Sequence, residues 1–174
     1  MRMGGWAMAG AVLASALVGT SIVGAQTVSR SDTKFIQHVV PANLAEVELG
    51  KLAQEKAGDQ RIRQFGERMA SDHSQAAKEL QQLASEKGVS VGSDLPGSDL
   101  RLRDRLAKLQ PSVFDREYVK EMVKDHKKDV AEFRRMSEKA QDPTLKAWVV
   151  KTLPTLEDHL KTIENLEASL TAKR

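Results

Sequence analysis

From Ser31 onward, apolar residues recur every three or four positions, the spacing that lines one face of an α-helix. In the first such stripe Phe35, Val39, Ala42, Leu49 and Ala53 share a face with Glu46, and "SDTK" just ahead of it offers capping hydroxyl and carboxylate groups. The stripe predicts a helix to about Ala57, where "GDQ" (58–60) makes a tight break with Gly58 as stop and Asp59 as N-cap. A second stripe, Ile62, Phe65, Met69, His73, Ala76, Leu80 and Leu83, runs into the Gly-, Ser- and Pro-rich loop "KGVSVGSDLPGSD". A short amphipathic segment at about Asp99–Leu109 stops at Pro111. The third long stripe carries Phe114, Tyr118 or Val119, Met122, His126, Val130, Phe133 and Met136 and ends near Ala140. After "QDP", with Pro143 suited to a first helical turn, the fourth presents Leu145, Trp148, Thr152, Leu156, His159, Ile163, Leu166 and Leu170. Pro154 lies inside this last helix, and a kink is expected there.

The segments "EKAGDQRIRQF" (55–65) and "EKAQDPTLKAW" (138–148) align without a gap. Each half of the chain therefore reads as a helical hairpin turned at the same kind of corner, and two such hairpins make a pseudo-twofold four-helix bundle. The roughly twenty residues between the halves, part loop and part short helix, can cover ~40 Å, about one bundle length. A crossover of that length between helices two and three gives an up-down-down-up order.

Composition agrees with helices: 40% of residues are hydrophobic, only 4% aromatic, and 29% charged with both signs interleaved. The net charge of +3 is not gathered into a basic block, which argues against nucleic acid as a partner. The chain opens "MRMGGWAMAGAVLASALVGTSIVGAQ", one Arg and then an uncharged apolar run ending in small residues. This predicts a signal peptide over residues 1–25, cleaved after Ala25, rather than a retained membrane anchor. A short linker over 26–33 and a single bundle domain over 34–172 follow. The expected location is the periplasm or the exterior, with no transmembrane segment after cleavage. The chain has no cysteine, so disulfides, a lipid anchor on cysteine and thiolate chemistry are all ruled out.

Three of the four histidines sit in similar settings: "MASDHSQA" (69–76), "MVKDHKKD" (122–129) and "TLEDHLKT" (155–162). Counted from the hairpin corners, Glu46 lies twelve residues before Gly58 and His73 fifteen after it, while His126 lies fifteen before Gln141 and His159 eighteen after it. Glu46, His73, His126 and His159 thus converge on the middle of the bundle, one from each helix. Imidazole and carboxylate are ligands for zinc, iron, copper or manganese, and a bundle core is a place to assemble them. Asp72, Asp125 and Asp158 each precede a histidine and point ~100° away from it, so each is a candidate to accept a hydrogen bond from a histidine of a neighbouring helix. Glu48 is an alternative carboxylate on another face, and His38 reads as a surface residue. The Glu-x-x-His pattern of di-iron bundles is absent, because Ala70, Val123 and Leu156 stand three before the histidines. No phosphate-binding Gly loop, Gly-x-Ser-x-Gly or His-Glu-x-x-His is present either, so no catalytic residues are assigned.

"FIQHVVPANLAEVELGKLAQEKAGDQRIRQFGERMASDHSQA", "FDREYVKEMVKDHKKDVAEF" and "TLPTLEDHL" together resemble the family called domain of unknown function 4142, bacterial exported proteins often labelled as outer-membrane proteins. The resemblance implies an all-α, ferritin-like four-helix bundle with a long crossover containing a short helix between helices two and three. It also implies that Glu46, Glu48, Asp72, His73, Asp125, His126, Pro154 and His159 occupy motif positions, and it implies no activity. Two readings stay open. One is a non-enzymatic exported bundle of the cell envelope, with a protein partner there and a Glu/His core that only fastens the helices. The other is a metal-binding protein holding one ion among Glu46, His73, His126 and His159.

Overall fold

The computed structural model describes residues 28–172. The expected signal peptide and the first residues of the expected linker lie outside that range. Five helices follow: α1 (Arg30–Lys56), α2 (Gln60–Glu86), α3 (Gly97–Ala107), α4 (Pro111–Lys139) and α5 (Pro143–Thr171). Helix α1 begins within the stretch expected to be linker, because Ser29 rather than a residue of "SDTK" is the N-cap, its side chain accepting from the Asp32 amide at 3.1 Å. Helix α2 ends where Gly88 turns to φ 66°: the Val89 amide bonds the Ala84 carbonyl at 2.8 Å and the Gly88 amide bonds that of Ser85 at 3.1 Å, a Schellman closure. Pro154 does not interrupt α5, and Pro41, absent from the sequence reading, sits equally inside α1.

The helix order is set by contacts at the two ends of the bundle. At one end, buried Asp32 near the start of α1 accepts from the amides of Gln141 (3.0 Å) and Asp142 (2.8 Å), the α4–α5 corner. Lys87, just past α2, bonds Asp142 at 2.6 Å there. At the other end, buried Asp115 near the start of α4 accepts from the amides of Gly58 and Asp59, the α1–α2 corner, both at 2.9 Å. So α1 and α5 run one way, α2 and α4 the other, and the stretch carrying α3 crosses the full length of the bundle. This is the up-down-down-up, ferritin-like arrangement expected.

The repeat in the sequence becomes symmetry here. Asp32 and Asp115 stand 83 positions apart, and so do Gly58 and Gln141, and the corner caps Asp59 and Asp142. Each hairpin corner, whose exposed helix-end amides would otherwise lack partners, is sealed by a carboxylate from the other hairpin. Within the first hairpin the helices cross at Gly50 and Gly66. A Cβ on Gly50 would stand 2.6 Å from the Gly66 carbonyl oxygen, and one on Gly66 2.6 Å from that of Gly50. Only hydrogen fits at that crossing.

Two apolar clusters fill the bundle. One gathers Phe35, Val39, Leu80, Leu83, Phe133, Met136, Leu145 and Trp148. The other gathers Leu49, Phe65, Met69, Leu106, Phe114, Tyr118, Met122 and Ile163. Between them, at mid-height, lies a buried polar layer of Asn43, Glu46, His73, His126 and His159. Asp32→Ala and Asp115→Ala each strand two amides at a corner and are each expected to lower unfolding free energy by about 2–3 kcal/mol. Because they act at opposite ends, the double variant should show close to the sum, as read by urea denaturation.

Candidate metal centre

His73 comes from α2, His126 from α4 and His159 from α5, each on its helix's apolar stripe and therefore aimed inward. Their ring centroids stand 5.7 Å (His73–His126), 5.5 Å (His73–His159) and 5.6 Å (His126–His159) apart. One ligand nitrogen from each ring lies within 4.8 Å of those of the other two. The ring of Phe65 stands edge-on to His126 and His159, at 6.5 and 6.1 Å between centroids.

Each ring gives one nitrogen to a fixed oxygen acceptor. His73 Nδ1 bonds Asn43 Oδ1 at 2.9 Å, and because the Asn43 amide itself donates to the Val39 carbonyl (2.8 Å), that oxygen is the acceptor and His73 the donor. His126 Nδ1 donates to the Met122 carbonyl at 3.0 Å. His159 Nε2 donates to Asp72 Oδ2 at 2.8 Å. The tautomers are thereby set, and the opposite nitrogens, His73 Nε2, His126 Nε2 and His159 Nδ1, carry lone pairs. All three are buried and without a hydrogen-bond partner.

Burial keeps the rings neutral. It pushes His73 well below its ordinary range, and the neighbouring His126 and His159 push it further. His126 is lowered to about 4 by burial and by His159. His159 is lowered by burial against the upward pull of Asp72.

The carboxylates divide differently from the sequence expectation. Of the three expected to orient a histidine, only Asp72 touches an imidazole, and it holds His159 across the α2–α5 interface. Asp158 points to Arg68, which bonds it at 2.6 Å and Asp72 at 3.3 Å, so Asp158 reaches the site only through that guanidinium. Asp125 pairs loosely with Lys128 at 3.8 Å on the side of α4 that faces α3 and α1, away from His73 and His159.

Glu46 belongs to the same layer but not to the set of ligand atoms within 4.8 Å. Its Oε2 has no partner, and burial, then Asp129, Asp125 and Asp99, hold its carboxyl well above the usual range. Asp129, partly buried beside Asp125 and Glu132, is pushed up to about 7 by desolvation and by those neighbouring carboxylates. Glu48 is a surface residue paired with Lys51 at 2.9 Å, and His38 is exposed, 3.8 Å from Glu132. Sequence reasoning missed Asn43 and Asp129. The repeat would have found both: Asn43 is 83 positions before His126, and Glu46 is 83 before Asp129.

Residues 19–166 match the family described as a domain of unknown function, DUF4142. The chain belongs to the DUF4142 family. No curated protein matches it. Among solved structures it is similar in fold to a DUF305 fragment from Deinococcus radiodurans, with a TM-score of 0.72 at 15% identity over 82% of this chain and 98% of that one. It is also similar to CopM in its Cu(I)-bound form, TM-score 0.67 at 18% identity over 79% of this chain and 96% of that one. The Ag-bound form of CopM gives a TM-score of 0.65, also at 18% identity, over the same shares of the two chains. Among the described residues of this DUF4142 protein, no helix is long and apolar enough to cross a membrane.

The neutral histidines make stability depend on pH. The unfolded chain protonates residue 126 near the ordinary 6.5, whereas the fold does so only at about 4, so between those values the unfolded state binds more protons. Stability from this group is complete above 6.5 and drains away as pH falls toward 4. Between pH 7 and pH 5 the metal-free protein should therefore lose about 2 kcal/mol more than a His126→Leu variant, measured by urea denaturation at both values.

Proposed function

We propose that this DUF4142 protein is a non-enzymatic metal-binding protein of the cell envelope, holding one transition-metal ion through His73, His126 and His159. The observation that carries the reading is a group of three buried imidazoles, each with one partnerless nitrogen, whose ligand nitrogens lie within 4.8 Å of one another. If the layer were only a fastening, each lone pair would be satisfied by a donor, since a buried unsatisfied acceptor costs about 1–3 kcal/mol. A single cation satisfies all three. With metal–nitrogen bonds of ~2.0–2.1 Å, sub-ångström shifts of rings whose ligand nitrogens now lie within 4.8 Å of one another bring the three into range. The oxygen partners of the opposite nitrogens are the usual support of ligating histidines.

Copper(I) suits the site best among zinc, iron, copper and manganese. Three neutral ligands in a buried layer bring no charge of their own, and the cost of burying an ion rises steeply with its charge, which favours a monovalent cation. One helical turn before His73 and His126 stand Met69 and Met122, fully buried thioethers of the soft class that copper(I) prefers. The fold shared with CopM is one that in CopM accommodates copper and silver. Export, suggested by the signal-like residues 1–25, would place the protein where free metal is less tightly held than in the cytoplasm.

Protein produced from the full chain and loaded anaerobically with copper(I) should retain one equivalent after dialysis, as counted by metal mass spectrometry. The His73→Ala/His126→Ala variant should retain less than a tenth of that. Asp72→Asn should keep the stoichiometry and weaken binding about 10–100-fold in competition with a colorimetric copper(I) chelator. A wild-type protein that retains neither copper nor zinc, iron or manganese overturns the reading.

A further inference from the structure

A small cavity of about 30 Å³, bounded by all four long helices, reaches His73 and His159. That is room for a water or an ion but little more. Its walls include Glu46, Asp72, Asp129 and Glu132. A larger cleft of about 290 Å³ lies between α1 and α4 beneath the start of α3, and it shares Glu46, Asp129 and Glu132 with the inner cavity. The two spaces therefore adjoin along these carboxylates. The outer cleft adds Asp99 and Asp125 against Lys128, and the exposed His38 borders both spaces.

We propose that the cleft between α1 and α4 is the route by which a metal cation reaches the three histidines, with Glu46 and Asp129 as the inner pair of carboxylates that passes it inward. The proposal rests on the metal-binding reading above and goes beyond it by assigning a path and two residues outside the ligand set.

Three observations carry it. Glu46 is only 8% exposed, its Oε2 has no partner, and it lines both spaces, so a buried polar atom is aimed into the passage with nothing to meet it. Glu46 and Asp129 occupy equivalent positions in the two hairpins, 83 residues apart, and so approach the passage from α1 and from α4. Finally, α1 and α4 touch each other far less than the helices within either hairpin do, which leaves this seam open. Asp99, Asp125 and Glu132 along the outer part of this narrow, low-dielectric cleft focus a potential that concentrates cations at its mouth, an effect worth about 10–10³ in rate. Neither inner carboxylate belongs to the close set of ligand atoms, so removing them should slow arrival without loosening the final site.

The test is rapid mixing of metal-free full-chain protein with copper(I)–acetonitrile under anaerobic conditions. Excess bathocuproine sulfonate is added after set delays, and the copper protected from it is counted. Glu46→Gln/Asp129→Asn replaces each acid by its amide of nearly the same shape, and circular dichroism checks the fold. The expected result is loading slowed tenfold or more, with final stoichiometry and equilibrium affinity unchanged. Added salt should slow the wild type toward the variant. Should that variant misfold, the exposed-side pair Asp99→Asn/Asp125→Asn tests the same path and should slow loading severalfold. Unchanged loading in the folded variant overturns the route and leaves the metal site standing. Loss of affinity in step with rate would make Glu46 or Asp129 a ligand, and also overturns it. A wild-type protein that protects no copper removes both the site and its route.

Discussion

Each hairpin of this bundle is closed at its corner by a carboxylate belonging to the other. Asp32 holds the amides of the α4–α5 corner and Asp115 those of the α1–α2 corner, and both are buried, so the exchange is made in a setting where a missing partner is expensive. These two contacts fix how far one hairpin can slide along the other. The rest depends on that register: a slip of one turn, ~5.4 Å, would carry His126 and His159 out of reach of His73 and bring apolar positions against the polar layer. The Gly50–Gly66 crossing fixes the first hairpin in the same way, because α1 and α2 meet closely only where neither has a side chain.

With register set, the polar layer is held between two apolar clusters that have no need of it. Burial there does two things together. It strips water from the imidazoles, which keeps them neutral and their lone pairs available, and it makes those lone pairs costly to leave without a partner. The oxygen bonded to each ring decides which nitrogen keeps its lone pair. Three different acceptors serve, a side-chain amide, a backbone carbonyl and a carboxylate, and all produce the same outcome. The carboxylate is itself steadied by Arg68, which ties it to Asp158 at the surface.

The crossover fits the same plan. Carrying the chain the length of the bundle, it lays α3 over the seam between α1 and α4 and brings Asp99 to the rim of the acidic cleft. A short loop at this point would have made a different helix order and left that seam without its outer wall.

The sequence by itself determined the helices, their breaks, the crossover and the depth of the histidines, because a period of 3.6 and a count from each corner are properties of one chain read in order. The 83-residue repeat also contained Asn43 and Asp129, legible once the alignment of the corners is carried along the helices. Tertiary structure decided which oxygen meets which nitrogen. Asp72, Asp125 and Asp158 precede their histidines identically, yet one reaches an imidazole, one an arginine and one a lysine, because what lies ~100° around a helix is a matter of its neighbours. Glu46 shows the same division: its height in the bundle was countable, but its separation from the three nitrogens depends on how far apart α1 and α4 stand, and no spacing along the chain records that distance.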